Sequence, residues 1–319
     1  MVNKPLQLLT ASRLACLRTC PRKHYYQYEL GLVRNRSGDA LRFGSAYHAG
    51  LEAHNRGADE STAIEQAIHG LAARGHDQTP DHEDPASGPV ERQTLRQLLA
   101  GHFWRYGDDN LKLVAVEQVF KTPLINPSSG YPSRRFALAG KIDAIVQLPD
   151  GRLAVLEYKT AGEEIGPESD YWLRLRCDGQ ISQYVLGARA LGYDVSTVLY
   201  DVTRKPTIRP RKEESPDAYG RRLLNDIGQR PDYYFARREV PRLADDLAEY
   251  RLELWQQGSA LHDAQRSSRW FRNVGRMSCG PCPYATLCLN SINVNADDPP
   301  SGYVVRADVH PELFQGDRS

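Results

Sequence analysis

The sequence predicts an α/β fold, a central mixed β-sheet flanked by helices, with helical segments at both ends of the chain. Two changes of period predict it. Apolar residues recur at helical steps between positions 10 and 106 and again between 243 and 261. Between them, "LKLVAVEQVF", "RFALAGKIDAIVQL", "RLAVLEYKT" and "VSTVLYDVTR" are β-rich runs. A third observation is a helix at about 178 to 191, which makes the order three strands, a helix and a fourth strand.

Residues 10 to 31 read as a helix capped by Thr10 or Ser12, broken near Pro21, then a short aromatic helix that Gly31 stops. "FGSAYHAGLEAHNRG" is a second helix, and "ESTAIEQAIHGLAARG" a third with Ile64, Ala67, Ile68 and Leu71 on one face. Residues 75 to 89, rich in Pro, Asp and His without a period, read as a solvated surface loop. Leu95, Leu98, Leu99, His102, Phe103 and Tyr106 share one stripe of an amphipathic helix, where His102 reads as a packed histidine. Beyond the strands, Leu243, Leu247, Tyr250, Leu254 and Leu261 return to helical spacing. No internal repeat or long linker divides the chain, so one domain is expected over 1–319: a helical part at 1–110, an α/β core at 111–210 and a helical part at 211–319.

The 41 basic and 40 acidic residues leave a net charge of +1, which argues against steering of the whole molecule to nucleic acid. Any polyanion site must be local. The first residues lack an apolar h-region, and no run approaches the roughly 20 apolar residues of a membrane span. The expectation is a soluble, cytoplasmic protein with no membrane partner. Six cysteines in a long chain without a secretion signal point to metal or free thiols rather than to disulfides.

The run "GRLAVLEYKTAG" ends in Glu157 and Lys159, which alternation places on one face, one pleat apart. The "QLPDGRL" hairpin decides where Asp143 joins them. A two-residue Asp150-Gly151 turn pairs Asp143 with Tyr158, whereas a three-residue loop, with Pro149 opening a type I turn and Gly151 in the left-handed bulge position, pairs it with Glu157. Pro149 favours the second. Adjacent carboxylates repel unless a cation lies between them, and hard oxygen donors suit Mg²⁺ or Mn²⁺. Taken alone, Glu157 and Lys159 would read as a cross-strand salt bridge at a sheet end.

"GKIDAIV…LEYKT" resembles the two core motifs of the PD-(D/E)XK nuclease superfamily. "QISQY" supplies Gln180 and Tyr184, four apart, similar to the Gln-x-x-x-Tyr signature of its RecB-like branch, and "GSAYH" places His48 as in that branch's upstream Gly-x-x-x-His motif. The resemblance implies that Asp143, Glu157, His48 and the Tyr158 carbonyl bind Mg²⁺ or Mn²⁺. It implies that Lys159, its pKa depressed by the cation, orients or deprotonates the attacking water, and that Gln180 and Tyr184 position the lysine or the DNA.

"CGPCPYATLC" gives Cys279-x2-Cys282-x5-Cys288. With Cys20 as fourth ligand, this looks like the [4Fe-4S] RecB-like nucleases, of the AddB nuclease domain and CRISPR-associated kinds, in which one cysteine ahead of the core joins three after it. The resemblance implies an iron–sulfur cluster that joins the two helical ends. Cys16 competes with Cys20, and spacing alone also allows a structural Zn²⁺. Cys16 and Cys177 are expected as free thiols.

The implied function is a metal-dependent DNA exonuclease acting on single strands or ends, a stand-alone form as in phages, with a helicase or recombination partner. No Walker motif supplies a motor of its own. A structure-specific endonuclease of the same fold and a non-cutting DNA-capture factor are the alternatives. Arg204, Lys205, Arg209, Arg211 and Lys212 of "RKPTIRPRK" are candidates to track the phosphate backbone, or they are a solvated loop.

Overall fold

The computed structural model describes residues 5–35, 39–73 and 87–313. The N-terminal part runs β1 (Gln7–Leu9), α1 (Ala11–Thr19), α2 (Pro21–His24), a π-helical turn (Tyr25–Glu29), β2 (Leu32–Arg34), α3 (Asp39–Asn55), α4 (Glu60–Ala73) and α5 (Ser87–Tyr106). The middle contributes β3 (Lys112–Ile125), β4 (Pro132–Gln147), β5 (Leu153–Ala161), α6 (Asp170–Leu175), α7 (Gly179–Ala190) and β6 (Val195–Arg204). The chain continues through α8 (Pro216–Gln229), α9 (Pro231–Tyr234), β7 (Phe235–Pro241), α10 (Ala244–Ser267), α11 (Arg276–Cys279), α12 (Ala285–Leu289), β8 (Tyr303–Val305) and a short 3₁₀ turn.

Six strands form one mixed sheet in the order β1-β4-β5-β6-β7, with β3 antiparallel to β4 along its other edge. β1 and β4 are parallel, as are β5 and β6. Both faces are covered, as the apolar runs require. One core packs α1, α6, α7 and α10 through residues such as Leu14, Trp172, Ile181 and Leu254. The other packs α3, α4, α5, α8 and α9 through Tyr47, Ala67, Leu98, Leu223 and Tyr234. No helix among the described residues is long and apolar enough to cross a membrane.

The α/β architecture is the expected one, with two corrections. Both terminal parts, expected to be helical, carry strands: β1 and β7 join the main sheet, and β2 pairs with β8. Three-residue strands are too short to display alternation. β7 hides behind the charges of "FARREVP", because Arg237 is neutralised within the fold by Asp201 at 2.7 Å rather than by solvent. The second correction lies at the expected loop: residues 87–89 belong to α5, while 75–86 lie outside the described residues. His102 is packed as expected, its Nε2 3.0 Å from Asp201 Oδ2. Thr10, not Ser12, caps α1, accepting from the Arg13 N–H.

Candidate active site

A fork in the sheet creates the site. β4 and β5 pair only from Gln147↔Leu153 to Ala144↔Leu156; β5 then continues along β6, while the same edge of β4 is taken further on by β1 at Phe136–Leu138. The hairpin has the three-residue loop. Leu148 and Arg152 close it, Gly151 takes φ +89, and its N–H donates to the Leu148 carbonyl at 2.9 Å. Continuing that register sets Asp143 opposite Glu157. There the ladder is replaced by a side chain: Asp143 Oδ2 accepts the Tyr158 N–H at 3.0 Å. A second side chain bridges the fork, since the fully buried Gln183 donates to the Leu9 and Ala139 carbonyls and accepts from Tyr250 Oη.

His48 reaches the fork from α3, its Nδ1 3.6 Å from Asp143 Oδ2. Two contacts seat that helix. Tyr47 Oη meets Thr203 Oγ1 at 2.7 Å, and Asn55, two turns beyond His48, donates to Tyr158 Oη at 3.1 Å. Sequence reasoning missed Asn55 because only the fold brings it to β5.

On the other face, buried Glu157 accepts through Oε1 from Lys159 and from Gln180 Nε2 at 3.3 Å, and Gln180 also donates to Tyr184 Oη at 2.8 Å. Glu157 Oε2 is buried without a hydrogen-bond partner. The helix carrying Gln180 and Tyr184 is held at its N-terminal end. Asp178 caps α7, and the buried Arg242 donates to Ser182 Oγ and to the Leu175 and Asp178 carbonyls. Phe120 wedges beneath it: a Cβ at Gly140 or Gly187 would stand 2.7 or 2.4 Å from that ring, so only glycine allows the contact.

Burial pushes Glu157 up to about 7, with Asp143 adding to the rise and Lys159 opposing it. Burial acts on Asp143 too, but His48 and Lys159 outweigh it and hold that carboxyl below its usual value. Burial opposes the charge on Lys159, yet Glu157 more than compensates and the ammonium is raised. The depression expected of Lys159 therefore requires a cation to take over that carboxylate.

The expected residues thus meet in two halves, His48 with Asp143 and Glu157 with Lys159, Gln180 and Tyr184. Among the described residues no three His, Cys, Asp or Glu side chains are gathered as a metal-holding group; Lys159 holds Glu157 Oε1. The unpartnered Oε2 and the depressed Asp143 carboxyl are nevertheless the donor chemistry a hard divalent cation fits. Of the basic loop, Arg204 lies over the Tyr233 ring at 4.2 Å and Lys205 over the Phe43 ring at 4.7 Å, while Arg209, Arg211 and Lys212 are exposed.

Cys20, from near the start of the sequence, and Cys279, Cys282 and Cys288 line one pocket together with Arg22, Lys23 and Arg272. Cys20 ends α1, and its Sγ accepts the Asn273 N–H at 3.4 Å. Cys16 does not line this pocket; its Sγ is 3.7 Å from Gln27 Oε1, and burial pushes its thiol up to about 12. Cys177 is exposed elsewhere.

The family model of the PD-(D/E)XK nuclease superfamily matches residues 8–289. A solved structure titled "Crystal structure of SSO0001" is similar over 91% of this chain and 89% of that chain, with 14% sequence identity and a TM-score of 0.36. No curated protein matches the chain.

Proposed function

The chain belongs to the PD-(D/E)XK nuclease superfamily, and from that premise we propose that it is a divalent-metal-dependent deoxyribonuclease, an exonuclease working on single strands or free ends of DNA. The observation that carries this reading is Glu157: a buried carboxylate with one oxygen held by Lys159 and Gln180 and the other unpartnered, at a fork shared with Asp143 and His48. Asp143, Glu157, His48 and the Tyr158 carbonyl would hold Mg²⁺ or Mn²⁺. When bound, the metal acidifies water and offsets charge on the phosphate. Lys159 would orient that water or take its proton, and Gln180, hydrogen-bonded to both Glu157 and Tyr184, would keep the lysine's carboxylate partner in place. Arg209, Arg211 and Lys212 are the exposed cations offered to the DNA backbone.

We also infer a single nuclease domain whose two ends are tied by a [4Fe-4S] cluster on Cys20, Cys279, Cys282 and Cys288. Their shared pocket supports it, as do the three cations that line it, which suit a net-negative cluster. A helicase or recombination partner would supply unwound DNA.

Digestion of end-labelled linear DNA and of circular single strands, with Mn²⁺ or Mg²⁺, tests the reading. Linear substrate should disappear while circles persist; cutting of circles would make this an endonuclease, and no cutting of either would remove the assignment. The ligand set adds a prediction. An imidazole beside two carboxylates favours Mn²⁺ over Mg²⁺, so His48→Ala should lower the rate and narrow the Mn²⁺ preference. An unchanged rate and metal ranking in the variant would leave His48 as a helix residue only.

A further inference from the structure

Glu117 stands in the middle of the 14-residue strand β3 with φ +53, in the left-handed region that a Cβ disfavours and that breaks a pleat. Its place in the register is specific. The ladder with β4 runs Val116↔Ala144 and Gln118↔Ile142, which leaves Glu117 facing Asp143. The alternation of the sheet changes phase at that point. On β4, Leu138 and Ile142 belong to the core beneath α7, and so does Ile145, an odd step of three further on, while Ala144 and Val146 face the opposite core. On β3, Phe120 and Leu124 belong to the core beneath α7, and Ala115, an odd step of five from Phe120, packs against it. Alternate residues of an unbroken strand cannot do this. Both strands therefore change phase together, without a slip in register, where Glu117 meets Asp143. The Glu117 carboxylate is almost buried and paired with Lys141, two residues before Asp143, which anchors the unusual backbone.

We propose that Glu117 is a positioning residue for Asp143: its left-handed backbone re-phases the paired strands, so that Asp143 leaves the pleat to accept the Tyr158 N–H and face His48. This rests on the reading of Asp143 as a metal ligand. Strain of this kind persists where surrounding structure over-determines it, and it gathers at functional sites. Sequence alone gives no sign of it, because "VEQVF" scans as ordinary strand.

The test compares Glu117→Gly with Glu117→Ala. Both lose the carboxylate and leave Lys141 unpaired alike, but glycine accepts φ +53 and alanine resists it. Mn²⁺ binding by electron paramagnetic resonance titration of the purified proteins is the readout, with melting temperature alongside. Glu117→Gly should bind Mn²⁺ about tenfold more tightly than Glu117→Ala, a difference typical of a lost supporting contact at a metal site. A merely structural strand residue would alter the melting temperature alone and leave the two variants with equal Mn²⁺ affinities. Equal affinities, tighter binding by Glu117→Ala, or a Glu117→Ala chain that fails to fold while Glu117→Gly folds would overturn the proposal. If the unaltered protein binds no Mn²⁺, or Asp143→Asn binds it as well as the unaltered protein does, the metal-site reading itself falls, and the proposal with it.

Discussion

Lys159→Ala is expected to slow Mn²⁺-dependent cleavage at least about a hundredfold while leaving Mn²⁺ binding as tight as before or tighter. The two effects separate because the lysine is given two roles, one toward the water and one toward Glu157. In cleavage, on the proposed reading, it would stand beside the water, and losing it would remove a proton acceptor or an orienting charge that bulk water does not replace. In binding it competes with the metal, since its ammonium holds Glu157 Oε1. Asp143 variants should behave differently, losing cleavage and Mn²⁺ binding together. The choice of substitution matters: Asp143→Ala leaves the Tyr158 N–H without its acceptor, at about 1–3 kcal/mol of stability, whereas Asp143→Asn can still accept that bond. Single-turnover cleavage and Mn²⁺ titration of the variants check all of this. A Lys159→Ala protein that cuts at a normal rate would end the catalytic assignment.

How much of this was legible beforehand follows from what each device depends on. That Asp143 stands opposite Glu157 in the register depends on hairpin length, and Pro149 and Gly151 state that length locally. Gln180 and Tyr184 share a helix face by spacing alone. The fork does not have that character. It depends on β1, three residues long and about 130 positions before its partner segment of β4, and on Gln183, which looks like any polar residue of a helix until the fold buries it between two carbonyls. Glu117 and Asn55 are silent for the same reason: their function is a relation between elements, and composition and period describe elements one at a time.

The other large effect is expected at the cysteines. Cys20 and Cys279 are 259 positions apart, so a metal centre bonded to both closes a very long loop. By analogy with disulfides, such closure removes roughly 5 kcal/mol of unfolded-chain entropy, an upper figure but comparable with a whole domain's stability. The buried core of the lobe around it is small among the described residues. Its apolar cluster is Tyr26, Leu32, Tyr284 and Leu287, and the Tyr284 hydroxyl bonded to the Leu32 carbonyl and the three-residue β2–β8 pairing tie its two halves. So small a core needs a staple. Protein purified without oxygen should therefore be brown and carry iron and sulfide near four each per chain, as the cluster type requires. Cys282→Ala should bleach it and lower its melting temperature, although phosphodiester hydrolysis transfers no electrons. Cys16→Ala should keep the colour, because that thiol turns to Gln27 and does not line the pocket. Stoichiometric zinc without iron in the anaerobic protein would replace the cluster by a four-thiolate zinc site and leave the nuclease reading standing, since none of the four cysteines is among the residues that meet at the fork.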